Sequence, residues 1–288
     1  MKSKWYNPEF VATIPRYMFS MPAWIDRRSL RLALNDVRDG ILNIHTWSML
    51  GWQEIRQRYR RSVLGPFWLT LSTGALIGGM GPLYGRLLNQ PIGDYFSYLA
   101  VGFIVWILIA SLITESCQVF IGAEGFIKQI RLPFTVYIAG LVWKQLIIFA
   151  HNLVIVAVVL LFYRPSWNWQ VWLMPVGVLL IALNGIWLGL FLGLLCARFR
   201  DIPQIVGSLV QVAFFLTPVM WKPSMLGKYE WTVMWNPLFP FLEIVRAPLL
   251  GGSISLATWA VVILITLLGY AVMLAFFVRF RSRIAYWV

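Results

Sequence analysis

Six apolar stretches, each long enough to cross the hydrocarbon core of a bilayer, constrain this chain more than any other feature. They run over residues 64–88, 95–121, 134–163, 171–197, 202–221 and 254–278. A helix needs about 20 apolar residues to cross about 30 Å of hydrocarbon. The chain is 60% hydrophobic and only 12% charged, so its apolar content exceeds that of soluble domains. We therefore expect an all-α integral membrane protein with six transmembrane helices.

The Lys and Arg residues predict the orientation of these helices. With the N-terminus in the cytoplasm, eighteen of the 24 Lys and Arg residues lie in segments on the inner side. Cytoplasmic segments of membrane proteins are enriched in these residues, so both termini are expected in the cytoplasm. The formal net charge is +13, and the Lys and Arg residues that produce it flank apolar segments. This placement favours contact with anionic lipid or an anionic cargo over nucleic acid.

The region before the first apolar stretch is expected to form a cytoplasmic unit over residues 1–62, followed by the transmembrane domain over residues 63–288. An amphipathic helix is predicted in the inner membrane interface, because apolar residues recur at spacings of three and four while Asp36 occupies another face. Its apolar positions are Leu30, Leu34, Val37, Ile41 and Ile44. A second helix is predicted over residues 45–62, and it carries the basic cluster Arg56, Arg58, Arg60 and Arg61.

This arginine cluster has two interpretations. Arginine presents planar donors that suit phosphate oxygens, so the cluster is a candidate for direct contact with a lipid head group. Ordinary anchoring at the inner membrane surface explains the same residues equally well.

The segment over residues 222–253 is long for an external connection and rich in aromatic residues. We expect two short re-entrant or interfacial helices there. Asn236 and Pro237 have the residue types of a helix N-cap and first helical position.

Residues that carry catalytic chemistry are scarce. The chain has no phosphate-binding loop of the G-x-x-x-x-G-K-[ST] type, and its two histidines, His45 and His151, are far apart in sequence. Cys117 and Cys196 imply no disulfide framework. We therefore expect no catalytic residue and no metal site. A membrane-embedded transferase would need a cluster of Asp, Glu or His at one membrane face, and an ion-coupled carrier would need several buried titrating residues. The sequence shows neither pattern, so both classes of protein are disfavoured.

Two charged residues lie inside predicted spans. Glu115 and Lys144 both fall in the inner half of adjacent spans, where charges are costly and are usually paired. An ion pair between them is the preferred hypothesis, and a proton relay is the alternative. In the first span four glycines share one face: Gly74, Gly78, Gly81 and Gly85. This face indicates tight packing within one subunit, a seam between subunits, or the wall of a conduit that must widen.

Several stretches resemble motifs of the permease subunits of type 2 ABC exporters for polysaccharides, the family that exports O-antigen, capsule and teichoic acid. The stretches are RYRRSVLGPFW at residues 58–68, FIKQIRLP at 126–133, FRDI at 199–202, FLTPV at 215–219, and Asn236–Leu238 with Glu243 and Arg246. They occur in the family's order, from about residue 30 to the C-terminus.

The resemblance implies a homodimer that works with two copies of an ABC nucleotide-binding subunit. ATP and Mg would bind to that partner, so this chain would be a transport subunit with no cofactor of its own. The cargo would be an undecaprenyl-diphosphate-linked glycan, O-antigen or capsule, exported across the bacterial inner membrane. Teichoic acid or a small hydrophobic molecule is the alternative cargo.

The resemblance also implies roles for particular residues. The helix over residues 45–62 would admit the lipid diphosphate, with the entry residues Arg56, Arg58, Arg60 and Arg61. A coupling helix over residues 123–131 and a second cytoplasmic segment would contact the ATPase through Glu124, Phe126, Lys128, Arg131, Arg198, Arg200 and Asp201. Aromatic residues of the conduit would include Phe67, Trp68, Tyr84, Phe214 and Phe215. An external gate would include Asn236, Glu243 and Arg246.

Overall fold

The computed structural model describes residues 27–60, 65, 67–163 and 166–288, and every regular element within these ranges is a helix. In chain order the helices are α1 (Arg27–Leu42), α2 (Ile44–Arg58), α3 (Phe67–Leu87), α4 (Ile92–Ser116), α5 (Val119–Gly122), α6 (Glu124–Gln129), α7 (Phe134–Tyr163), α8 (Met174–Arg198), α9 (Ile202–Leu216), α10 (Phe239–Leu249), α11 (Leu256–Phe280) and α12 (Ile284–Trp287). Short 3-10 segments lie at Trp169–Leu173, Pro223–Trp235 and Arg281–Arg283. The expected all-α architecture is confirmed for the described residues.

Four helical segments of the described residues are long and apolar enough to cross a membrane, which makes this a multi-pass membrane protein. They are Ile92–Ser116, Phe134–Tyr163, Trp169–Arg198 and Leu256–Trp287. Helices also occupy the other two predicted crossings. Helix α3 has 21 residues, but its glycine, serine and threonine residues lower its hydropathy. Helix α9 is apolar but has only 15 residues.

Helix α9 ends earlier than the predicted span over residues 202–221. The residue before a proline is biased away from helical backbone angles, and Thr217 precedes Pro218 with an extended ψ of 135°. The chain therefore leaves the helix after Leu216, and the segment over residues 217–221 is irregular although Thr217 and Val219 are buried.

Helix α4 lies at the centre of the bundle. It packs against α3, α7, α8, α9 and α10, and its buried side chains point in all directions around the helix axis. Two of the α3 glycines, Gly81 and Gly85, face the rings of Phe96 and Tyr95 on α4. Packing within one subunit is confirmed for this part of the glycine face, whereas a Cβ atom on Gly78 would meet no atom within 4 Å.

Helix α1 is present as predicted, and the side that it turns toward the bundle is centred on a charged residue. Ala33, Asp36 and Gly40 are the buried residues, whereas Leu34 and Ile41 remain exposed. The reason is that the Asp36 carboxylate finds partners on α7 and at the end of α11. A charged side chain thus determines which face of this apolar-patterned helix contacts the bundle.

The segment between α9 and α11 contains two helical pieces, as predicted. The first, Pro223–Trp235, is interrupted at Gly227, whose φ of 53° suits glycine. Helix α10 begins at Phe239, two residues later than the predicted cap and first helical position imply. The Asn236 Oδ1 still accepts a hydrogen bond from the Leu238 backbone N–H at 2.9 Å, as an N-cap side chain does, and closes a turn ahead of the helix.

Candidate functional site

A polar cleft of about 550 Å³ opens between α2, the ends of α4 and α7, and the short helix α6. Its walls carry amide, hydroxyl and charged side chains in a chain that is otherwise strongly apolar. The lining residues that have polar side chains are Gln53, Glu54, Gln57, Thr114, Glu115, Gln118, Tyr137 and Lys144. Such a cleft accommodates a hydrated or charged group beside the apolar bundle.

A three-member ion cluster, formed by Glu54, Glu115 and Lys144, lies in the wall of this cleft. The Lys144 Nζ is 2.6 Å from the Glu115 Oε2 and 2.5 Å from the Glu54 Oε2. The predicted pair of Glu115 with Lys144 is therefore confirmed. The pairing of Lys144 with Glu54 was not predicted, because Glu54 lies among other polar residues of α2, where a charged side chain needs no partner. Its spacing from Trp47 and Gly51, at seven and three residues, places it on the face of α2 that meets α7.

Two of the predicted entry arginines line a second cavity, which shares two glutamines of α2 with the cleft. Arg56 and Arg60 line this cavity of about 320 Å³ together with Gln53 and Gln57. The Arg58 side chain and Arg61 lie outside the described residues. Guanidinium groups provide donors for phosphate oxygens, so the arginine-lined cavity, rather than the wall that carries the carboxylates, suits an anion.

The predicted coupling helix corresponds to α6, a short exposed helix between α4 and α7. Lys128 donates a hydrogen bond to the Glu124 Oε1 at 2.6 Å, and this bond and the lysine charge hold the pKa of Glu124 below its usual range. Phe126, on the same helix, is 54% exposed. An exposed aromatic side chain on a charged helix is typical of a contact surface for another protein.

The second predicted cytoplasmic contact lies beside α6. The Arg200 guanidinium donates to the Trp287 carbonyl oxygen at 3.3 Å, and the Arg198 guanidinium lies 5.1 Å from the Trp287 ring centroid. Helix α12, which contains Trp287, contacts α6, and the charge of Arg200 contributes to the lowered pKa of Glu124. The structure thus brings the two predicted ATPase contacts onto one face with the C-terminal residues. Arg131 and Asp201 are exposed.

The predicted conduit aromatics are divided between α3 and α9. Phe67, Trp68 and Phe215 are each more than half exposed, and Phe67 meets the His151 ring edge-on. Phe214 instead packs against Phe103 and Trp106 of α4, and Tyr84 is half-buried. Three of the five are therefore available on the surface of one subunit.

The predicted external-gate residues surround the irregular segment over residues 217–221. Arg246 is only 1% exposed, and its Nη2 is 2.6 Å from the Glu243 Oε2. Its Nη1 donates to the Pro218 carbonyl oxygen at 2.6 Å. Asn236 donates to the Thr217 hydroxyl at 2.8 Å. The three residues connect α10 to the end of α9.

Two tyrosines of α4 complete this network and were missed in the sequence. The Tyr98 hydroxyl donates to the carbonyl oxygens of Pro218 and Trp221, at 3.1 and 3.0 Å, and the Tyr95 hydroxyl donates to the Met220 carbonyl at 2.7 Å. The Arg246 guanidinium lies over the Tyr98 ring at 4.1 Å. Their spacing of three on one helix face was the available signal.

Comparison with known proteins gives the family context of this architecture. The family model described as ABC-2 type transporter matches residues 45–250, which run from α2 to α10. The chain is 22% identical over 238 residues to the O-antigen export system permease protein RfbA of Klebsiella pneumoniae, covering 81% of this chain and 91% of that protein.

Two further relatives extend the comparison. The O-antigen export system permease protein RfbA of Myxococcus xanthus is 27% identical over 172 residues, which cover 60% of this chain and 66% of that protein. The polysialic acid transport protein KpsM of Escherichia coli is 23% identical over 209 residues, which cover 70% of this chain and 80% of that protein.

Proposed function

This chain belongs to the ABC-2 type transporter family, and from that premise we propose that it is the permease subunit of an ABC exporter for lipid-linked polysaccharide of the O-antigen or capsule type. The single observation that carries the proposal is the similarity, along most of the chain, to permeases named for O-antigen export and polysialic acid transport. The cargo of those proteins differs in glycan structure, so we assign the class of cargo and not the sugar.

The proposed topology has six crossings in the bacterial inner membrane, with both termini in the cytoplasm. Helices α3 and α9 provide the two crossings beyond the four longest apolar segments. In this arrangement the cytoplasmic unit over residues 1–62 precedes a transmembrane domain over residues 63–288, and the helices Pro223–Trp235 and α10 lie at the outer surface. The distribution of Lys and Arg supports this orientation.

The proposed partner on the inner side is an ABC nucleotide-binding subunit, present in two copies. The face formed by α6, residues 198–201 and α12 would receive it, because Phe126 is exposed there beside charged side chains. ATP and Mg would bind to that partner. The membrane subunit is proposed to form a homodimer, and the apolar helix α9, which buries none of its residues within one copy, supports a seam that includes α9.

The polar cleft under α2 is the proposed entry site for an undecaprenyl-diphosphate head group. Arg56 and Arg60 supply guanidinium donors in the adjoining cavity, and the glutamines of the cleft walls supply neutral donors. The apolar lipid chain would remain in the bilayer while the charged group occupies the cleft. The exposed aromatic side chains of α3 and α9 then offer flat faces to the sugar rings.

Stimulation of ATP hydrolysis tests the proposal. The chain is copurified with its nucleotide-binding subunit, reconstituted in vesicles, and assayed with added undecaprenyl-diphosphate-linked glycan. We expect the rate of ATP hydrolysis to rise with this lipid. Stimulation by small amphiphiles with no response to the glycan lipid would contradict the proposal and would indicate export of small hydrophobic molecules.

A further inference from the structure

Helix α2 meets α7 along a short face that contains a close glycine contact. A Cβ atom on Gly51 would overlap the carbonyl oxygen of Gly140, so the two backbones touch at this point. One turn earlier, Trp47 packs edge-on against an α7 tryptophan, with ring centroids 5.7 Å apart. One turn later, Glu54 pairs with Lys144. The tryptophan contact thus lies on one side of the Gly51–Gly140 contact, and the Glu54–Lys144 pair lies on the other side, next to the cleft.

The charges of the ion cluster are unequal. Lys144 carries one positive charge and touches two carboxylates, so one carboxylate is in surplus. Glu54 has a side chain that is 55% exposed, whereas the side chain of Glu115 is 29% exposed and that of Lys144 only 12%. An exposed carboxylate loses little when it returns to water, while a mostly buried ammonium group without a partner is costly. Glu54 is therefore the member that separates more easily, because a neutral Glu115–Lys144 pair remains.

We infer that Lys144 is a positioning residue for α2. Its pair with Glu54 holds the cleft-lining half of α2 against the bundle, and this pair breaks reversibly while the Glu115–Lys144 pair stays intact. The movement is a pivot about the Gly51–Gly140 contact, and it widens the cleft. The inference rests on the proposed role of α2 in cargo entry and adds the element that regulates it.

Competition between the two carboxylates gives the inference a sharp test. Glu54→Gln removes the charge that pairs α2 with Lys144 and leaves the Glu115 pair. Glu115→Gln removes the competitor and leaves the ammonium charge of Lys144 to Glu54 alone. A positioning role predicts that Glu54→Gln loosens the contact of α2 with the bundle and that Glu115→Gln does not. A cluster that only stabilises the fold predicts that both variants loosen this contact.

The width of the cleft can be measured by cross-linking across it. Gln57 on α2 and Gln118 after α4 both line the cleft and are exposed, so Gln57→Cys and Gln118→Cys provide a thiol on each wall. The two native cysteines, which are buried, are replaced by alanine. The full chain is purified, reconstituted alone in lipid vesicles and treated with a short bifunctional thiol reagent, and the intrachain cross-linked peptides are quantified by mass spectrometry.

We expect the cross-linking rate to fall about two- to fivefold with Glu54→Gln, which corresponds to the loss of an exposed ion pair, and not to fall with Glu115→Gln. An unchanged rate with Glu54→Gln, or a similar fall in both variants, would overturn the inference. The assay contains neither cargo nor ATPase. Failure of the proposed function would appear separately, as absence of stimulation by glycan lipid while the two variants still diverge.

Discussion

Replacement of Asp36 by alanine tests how the N-terminal helix is held on the bundle. The Oδ1 atom of Asp36 accepts hydrogen bonds from the backbone N–H of Thr135 at 3.1 Å and from its hydroxyl at 3.0 Å. The Oδ2 atom is 2.7 Å from the Arg281 Nη2. The Asp36 side chain is fully buried, whereas that of Arg281 is 27% exposed. One carboxylate therefore joins α1, the start of α7 and the end of α11.

The cost of the substitution can be estimated from these partners. Leaving the buried Thr135 N–H without an acceptor costs about 1–3 kcal/mol, and loss of the hydroxyl bond adds about 1 kcal/mol. Arg281 regains water because it is partly exposed, so loss of its ion pair adds only about 0.5–1 kcal/mol. The sum is about 3–5 kcal/mol, the range measured when one partner of a buried ion pair is removed.

The free energy of unfolding, measured by titration with sodium dodecyl sulfate in mixed micelles, checks this estimate. Asp39→Ala is the matched control, because Asp39 lies on the same helix and is exposed, and we expect it to change stability by less than about 0.5 kcal/mol. Asp36→Asn should fall between the two, since its amide oxygen can still accept from Thr135. A loss with Asp36→Ala no larger than that of the control would refute the reasoning.

Three further predictions follow from the same contacts. Arg246→Ala removes the partner of the Glu243 carboxylate and one of the two donors to the Pro218 carbonyl, and it should cost about 3–5 kcal/mol in the same titration. The exposed Lys228 should tolerate alanine, and equal losses would contradict the burial of the network. Gly51→Ala places a methyl group against the Gly140 carbonyl and should cost about 1–3 kcal/mol, with Gly78→Ala, which faces open space, as the neutral control. Phe126→Ala should reduce copurification of the nucleotide-binding subunit without changing the thermal unfolding temperature of the membrane subunit, and undiminished copurification would remove α6 from the proposed contact.

The helices could be predicted from the sequence where hydrophobicity alone determines them. Each predicted crossing contains a helix because an apolar run in a membrane must satisfy its own backbone hydrogen bonds. The face of α1 that contacts the bundle could not be predicted in this way. Its orientation depends on Asp36, whose partners Thr135 and Arg281 are distant in sequence, and a hydrophobic pattern contains no information about such partners.

The candidate site shows the same division. Glu115 and Lys144 were recognised because charges inside apolar runs need partners, whereas Glu54 stands among other polar residues of α2. The family resemblance implied a gate role for Arg246 and gave no indication that its side chain is buried. Its burial depends on the Pro218 carbonyl, which lies beyond the end of α9 at Leu216, and on the Tyr98 ring of α4. Both contacts become visible only when the helices are placed in space.

Translocation in vesicles tests the central claim most directly, namely that this chain moves lipid-linked polysaccharide only with the power of a separate ATPase subunit. The purified chain is reconstituted alone, with its nucleotide-binding subunit, and with that subunit plus ATP and Mg, and the transfer of glycan-bearing lipid across the bilayer is measured. We predict transfer only in the complete system. Transfer by the chain alone, at a rate equal to that of the complete system, would contradict the account.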